Sequence, residues 1–321
     1  MELILTLDVG TTSVKACLFD RQLRQTALTS REYALRTHGV CAEAEPQIYL
    51  DAAAQCILSL PAEARARVCA VALTTQGETL ICVDRQGRAL RPAIVWLDSR
   101  AETQAARLAA VLDRQRFYER TGLPELSGAL PLAKLLWLRE REPEIWARTD
   151  KFLLLEDYLM LWLTGRAVTE KSLLTSTGYF DLQSDDYWDE ALALAELDRT
   201  RLPQALACGS VVGPVLPELA ETLGLPASAC VVTGAMDQTA AALAAGCTRP
   251  GTLCETTGTA MVAAAFTAHP QFSEDHHVTI YRHAMPGAYL YLPISNTIGM
   301  SLRWFRDEFC RDLDGGYAAL D

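Results

Sequence analysis

The sequence is poor in positive charge: 29 lysines and arginines stand against 40 aspartates and glutamates, a net charge of −11 at pH 7. That balance argues against a nucleic acid or an anionic membrane as the main partner and leaves a small neutral ligand open. Cysteine is plentiful but not paired: none of the ten falls in a C-x-x-C pair, and most lie inside apolar runs. This reads as buried, reduced thiols rather than a disulfide framework or a zinc site. The five histidines do not combine with cysteines at metal spacing. No uninterrupted apolar run reaches about 18 residues, so no membrane-spanning helix is expected. The first residues lack a basic region followed by an apolar stretch and a cleavage site, so no signal peptide is indicated. A cytoplasmic protein is the expectation. What is present is bulk: 321 residues, half of them apolar, enough for two domains of ordinary size.

The chain is organised around Leu3–Asp20. Leu3, Ile4, Leu5 and Leu7 form a β-prone apolar run that stops at Asp8, and Val14–Phe19 is a second run carrying only Lys15 as a charge. Between them Val9-Gly10-Thr11-Thr12-Ser13 is a tight polar turn, and the whole predicts a β-hairpin. Gly10 permits backbone angles that other residues resist. The turn could therefore aim N–H groups and the Thr11, Thr12 and Ser13 hydroxyls at an anion. Lys15 could reach a phosphate oxygen or simply decorate a hairpin face. Asp8, ending a buried strand, is placed to hold a hydrated Mg²⁺ beside that anion. On these residues alone an ordinary surface hairpin is an equal explanation.

Further along, Gln25–Leu35 continues as a third antiparallel strand, and Glu45-Pro46 starts a helix through about Leu60. Val68–Thr75 is a buried β-run ending in Gln76-Gly77-Glu78-Thr79, with Leu80–Val83 as the next strand. Asp98 to about Arg120 reads as one helix, Pro131–Arg141 as an amphipathic helix, and Lys151–Thr164 as an apolar helix stopped by Gly165. Composition shifts near Val212-Gly213-Pro214, which places a domain boundary at residue 228, with a second domain over 229–321. Ala229–Val232 then leads to Thr233-Gly234-Ala235-Met236-Asp237-Gln238 and a small-residue helix. A strand, a Thr257-Gly258-Thr259 turn and another strand follow, an echo of the opening hairpin. Strands near Val278–Tyr281 and Tyr289–Pro293 and a helix from about Asn296 complete the reading, that of an α/β layered protein.

Five segments resemble the FGGY family of carbohydrate kinases, within the actin/Hsp70/hexokinase superfamily. Leu5-Thr6-Leu7-Asp8-Val9-Gly10-Thr11-Thr12 is similar to its first phosphate motif, and Pro92-Ala93-Ile94-Val95-Trp96-Leu97-Asp98-Ser99-Arg100 to its P-A-I-x-W-x-D-x-R segment. Pro131-Leu132-Ala133-Lys134-Leu135-Leu136-Trp137-Leu138 resembles the P-x-x-K-L-x-W-L helix. Thr233–Gln238 resembles the segment with the catalytic aspartate, and Thr256–Thr259 the second phosphate motif. Each is weak alone; five in family order are specific. The resemblance implies an α/β, actin/Hsp70/hexokinase-like (ribonuclease H-like) two-domain kinase fold. It covers the whole first domain and about half of the second, and the family's adenosine motif has no counterpart here.

The resemblance also implies roles. Asp237 would be the catalytic base, with Gln238 beside it facing the substrate; without the family, Asp237 reads as a helix N-cap. Gly10, Thr11, Thr12, Ser13 and Lys15, with Thr257, Gly258 and Thr259 from the other domain, would hold ATP, and Asp8 its Mg²⁺. Gln76, Gly77 and Glu78 form a loop that could hydrogen-bond a polyol, with Trp96 and Asp98 lining the same pocket; the plain alternatives are a solvated turn acid and a core tryptophan. Lys134 and Trp137 read as a packing face. Gln76-Gly77-Glu78-Thr79 is similar to the Q-R-E-T of glycerol kinases with glycine in place of arginine, and the tyrosine expected near Ala129 is absent. The histidine of the xylulokinase loop is absent too, so the sequence does not choose among ketopentoses such as xylulose or ribulose and related polyols. The expected partner is a small sugar or polyol, with a homodimer as one way to supply a missing part. Two other classes stand beside this one: a sugar-binding remnant without catalysis, and an Hsp70-like ATPase with a protein client.

Overall fold

The computed structural model describes residues 2–257, 261–275, 277–295 and 298–310. Its centre is a six-stranded sheet in the order Val211–Pro214, Cys230–Met236, Val68–Thr75, Leu3–Val9, Ser13–Phe19, Gln25–Glu32. Leu3–Val9 pairs antiparallel with Ser13–Phe19, the expected hairpin, and parallel with Val68–Thr75. Val68–Thr75 in turn pairs parallel with Cys230–Met236. Leu3, Leu5, Leu7 and Val9 are buried and the residues between them half-buried, as a strand covered on both faces requires. Helix Pro46–Ser59 buries Tyr49, Ala53, Cys56 and Ile57 in the same apolar core as the sheet.

The strand Cys230–Met236 lies inside this first sheet, although composition places it beyond the boundary at 228. A composition shift marks a loop, here the antiparallel edge strand Val211–Pro214, and not the end of the hydrogen-bonded layer. A second, five-stranded sheet joins Arg36–His38, Cys41–Ala44, Ala93–Ile94, Leu80–Val83 and Lys151–Leu154. Beside it the helix Pro131–Arg141 buries Leu132, Leu135, Leu136 and Leu138 in a second core. A third sheet holds Leu253–Thr257, Met261–Thr267, Tyr289–Tyr291 and Ile280–Arg282, with Ile294–Ser295 paired to Met261–Thr267.

Two helix boundaries differ from expectation. The stretch from Asp98 to Arg120 is two helices, Glu102–Ala109 and Arg114–Thr121. Asp113 breaks them apart because its carboxylate caps the second, accepting from Arg116 N at 2.8 Å, and Gly122 ends that helix with φ 75°. Lys151–Thr164 is a strand, Lys151–Leu154, followed by a helix, Leu155–Thr164. An apolar run serves either structure, and pairing with Leu80–Val83 decides the first four residues. No helix among the described residues is long and apolar enough to cross a membrane.

Candidate active site

Three parallel strands set the site. Val9 pairs with Thr75, and Thr75 with Met236, so Gly10, Gln76 and Asp237 leave the sheet side by side at its carboxyl edge. Such an edge is where open α/β sheets bind ligands. A cavity of about 310 Å³ lies there. Thr11, Gln76, Gly77, Glu78, Trp96, Asp237 and Gln238, all singled out from sequence, line it. Met236, Val262, Tyr281, Leu292 and Ile294 line it as well.

Asp237 occupies the first turn of helix Asp237–Ala244, and its Oδ1 accepts from Gln238 N at 2.6 Å. Burial pushes its carboxyl up to about 6, with the Asp8 charge adding to the shift. A carboxylate so destabilised is a better proton acceptor near neutral pH. The backbone behind it is pinned by buried acids where the ladder to Val68–Thr75 shifts register between Val232 and Ala235. Glu156 Oε1 accepts from Gly234 N at 3.0 Å, and Glu170 Oε1 from Met236 N at 3.1 Å. Gly234 is obligatory: a Cβ there would sit 1.4 Å from the Leu73 carbonyl oxygen.

The Gln76–Thr79 loop is equally constrained. Thr79 N donates to Gly77 O at 2.7 Å, which forces Glu78 to φ 50°, a left-handed angle costly for a residue with a side chain. Lys134 Nζ holds this turn, donating to Glu78 O and to Val95 O, each at 3.0 Å. Burial raises the Glu78 carboxyl and lowers the Lys134 ammonium, while each charge opposes the other's shift. Trp96 follows Val95, and its Nε1 donates to Thr11 Oγ1 at 2.9 Å, which ties this side of the cavity to the hairpin turn. Gln76 is 3% exposed. Its amide lies near the Tyr49 hydroxyl, yet neither of its polar atoms makes a hydrogen bond of normal geometry.

The hairpin turn closes with Gly10 N donating to Ser13 O at 3.0 Å and Tyr33 N to Thr12 O at 2.9 Å. Gly10 does not adopt a left-handed angle, and a Cβ there would meet its nearest neighbour, Ser13 O, at an ordinary 3.7 Å. The expected need for glycine freedom is therefore absent. Asp8 and Lys15 face each other across the hairpin at 3.3 Å, both partly open to solvent. Asp98 does not reach the cavity. It is fully buried, accepting from Ala42 N at 2.6 Å and bridging Arg100 at 2.6 Å. The family resemblance placed it beside Trp96 at the pocket, but Asp98 N donates to Val95 O and the carboxylate turns inward. Thr257 ends a strand whose hairpin partner is Met261; its side chain, Gly258 and Thr259 lie outside the described residues.

The FGGY family of carbohydrate kinases, N-terminal domain, matches residues 3–244. The chain belongs to this family. It is 30% identical over 319 residues to the xylulose kinase of Lactococcus lactis, covering 98% of this chain and 63% of that protein. It is 27% identical over 312 residues to the gluconokinase of Bacillus subtilis, covering 95% and 60%. The crystal structure of the xylulose kinase from Rhodospirillum rubrum superposes with a TM-score of 0.92 at 30% identity, covering 99% of this chain and 65% of that one. The chain thus spans about 60% of the length of these curated relatives. The family match ends at residue 244, after the helix that Asp237 begins, and so includes strand Cys230–Met236.

Within this FGGY chain, sequence reasoning missed three kinds of residue. Val262, Leu292 and Ile294 are apolar wall residues, which carry no chemical signature. Glu156 and Glu170 carry no motif that the sequence alone exposes. Lys134 did leave a signal, a lone charge in Pro131–Leu138, since a lysine on a wholly apolar helix needs a buried partner. A larger, more open hollow of about 740 Å³ lies elsewhere on the chain. Its charges pair with one another, Lys171 with Asp185 and Arg199 with Asp186, and it offers none of the convergent chemistry of the smaller cavity.

Proposed function

We propose that this chain carries the sugar site and catalytic base of an ATP-dependent kinase that phosphorylates a hydroxyl of a ketopentose, such as xylulose or ribulose, or of a related polyol. The observation that supports it most is Asp237: a carboxylate with raised proton affinity lines one cavity together with Gln76, Glu78 and Trp96. Asp237 takes the proton of the substrate hydroxyl as that oxygen bonds to the γ-phosphorus. The bond from phosphorus to the β,γ-bridging oxygen breaks, and ADP leaves with its electron pair. Thr11, Thr12, Ser13, Gly10 and Lys15 receive phosphate oxygens from one side, and Thr257, Gly258 and Thr259 from the other. Asp8 suits Mg²⁺, which keeps several waters and takes one or two carboxylates besides phosphate oxygens. Bound there, the ion would neutralise developing phosphate charge. Closing the cavity keeps water from replacing the sugar as acceptor.

The test is ADP release by this chain with Mg-ATP across ketopentoses, hexuloses and polyols, beside Asp237→Asn. One sugar raising the rate, with the variant at least about a thousandfold slower, is the expected result. Sugar-independent turnover that persists in Asp237→Asn overturns the reading.

A further inference from the structure

We propose that Tyr281, supplied by the third sheet, is a specificity-determining residue that donates a hydrogen bond to a neutral ketose or polyol opposite Glu78. The inference rests on the sugar-site reading above. Tyr281 is 5% exposed and lines the cavity. Glu78 and Asp237 line the same cavity, and their charges act on its phenol. That hydroxyl makes no hydrogen bond to a described residue. Gln76 lines the same cavity, and its buried amide has no hydrogen-bond partner. A buried amide without a partner is costly, and a ligand hydroxyl beside it removes that cost while the phenol on the same cavity donates to the ligand. Burial and both carboxylates also push the phenol up, so it stays protonated and can only gain by donating.

The position of Tyr281 does not depend on its own sheet alone. Ile280 N donates to Gly122 O at 2.8 Å, Arg282 N to Thr175 Oγ1 at 3.3 Å, and the Arg282 guanidinium bridges Asp185 at 3.1 Å. Gly122 approaches so closely that a Cβ there would lie 2.2 Å from Ile280 O. Residues on both sides of Tyr281 are therefore stitched to the first domain, and the phenol completes the sugar wall from across the cleft. The charge of the wall selects the ligand class. Glu78 and Asp237 line it, and none of the described lining residues is Lys, Arg or His. The nearby ammonium of Lys134 is spent on two carbonyls behind the Glu78 turn. A sugar acid would bring a third carboxylate with no cation to meet it.

Calorimetric titration of this chain and of Tyr281→Phe with D-xylulose, D-ribulose and D-gluconate tests the proposal. The substitution keeps the ring and removes only an unbonded hydroxyl, so a matching Tm certifies the fold. The expected result is a neutral sugar bound at least tenfold more tightly than gluconate, and a Kd raised about tenfold in Tyr281→Phe. Equal affinity in the variant overturns the role of Tyr281, and gluconate binding as tightly as the neutral sugars overturns the ligand class. Binding of none of the three overturns both, together with the sugar-site reading. Normal sugar binding without Asp237-dependent ADP release overturns the kinase reading alone and leaves Tyr281 standing.

Discussion

The wall built on the first sheet and the elements beyond residue 250 differ in how much of their apolar surface is covered. In the first, Leu5, Leu7, Leu18 and Tyr49 are fully buried, and the turn that carries Glu78 is held by Lys134 from behind. In the second, Leu253 is 68% exposed, Trp304 58% and Phe309 65%. The difference teaches where preorganisation resides. The residues proposed to meet the sugar and to act as base are fixed by groups that are themselves buried and bonded. The strands Leu253–Thr257 and Ile294–Ser295 of the third sheet carry the exposed apolar residues Leu253 and Ile294. Affinity for the sugar should thus rest on the first region together with Tyr281, which is itself tied to that region, and phosphoryl transfer on both regions.

The largest effect expected is at Asp237. Asp237→Asn should cost at least about a thousandfold in ADP release while sugar binding survives. The same variant should be the more stable protein. The folded pKa is raised from 3.8 to about 6, so the folded state holds a proton that the unfolded state has released between those values. Stability of the parent therefore falls as pH rises through that window, and the cost is complete above about 6. Removing it should raise stability at pH 8 by on the order of 2 kcal/mol, and by little near pH 3, as read by urea unfolding. Activity of the parent should fall about tenfold per unit below pH 6. A parent whose stability is flat from pH 4 to 6 would place Asp237 in ordinary solvent and break the contrast.

Two glycines sharpen it next. Gly234→Ala drives a methyl into the Leu73 carbonyl and should cost on the order of 3 kcal/mol or more, whereas Gly10→Ala should cost under about 1 kcal/mol. Urea midpoints that come out equal would show that the strand behind Asp237 yields as easily as the exposed turn. Then comes the clamp: Lys134→Met removes the ammonium from Glu78 O and Val95 O, and should raise the sugar KM about tenfold with the ATP KM unchanged. If both constants rise together, Lys134 supports the fold at large and not the sugar wall.

These two glycines also show how far the sequence was legible. The hairpin, the strands that lead to Gln76 and Asp237 and many of the residues that line the cavity could be read, because alternating apolar runs and polar turns dictate them locally. Gly10 and Gly234 look alike in sequence, yet only the second is forced by close approach of a neighbouring strand, which no local pattern reveals. The family resemblance placed Asp98 beside Trp96 at the pocket, but the demand of Ala42 N and Arg100 for a buried acceptor turns it inward. Tyr281 escaped because its position depends on Gly122, Thr175 and Asp185, all more than 90 residues away. Long-range hydrogen bonds are what a single sequence hides.

The smallest effect is the most direct probe of the exposed side. Trp304→Ser and Phe305→Ser replace rings that are 58% and 46% exposed on helix Ile298–Phe309. Side chains already in water lose little when shortened, so each should shift unfolding by no more than about 0.5 kcal/mol. Leu5→Ala, in the covered sheet, should cost about 3 kcal/mol. Sedimentation should show less self-association in the serine variants, because fewer apolar rings face the solvent. A loss above about 1 kcal/mol at Trp304 would mean that the ring is covered in solution. The contrast between a covered first region and the exposed elements beyond residue 250 would then fail at that helix, while the cavity around Asp237 would be untouched.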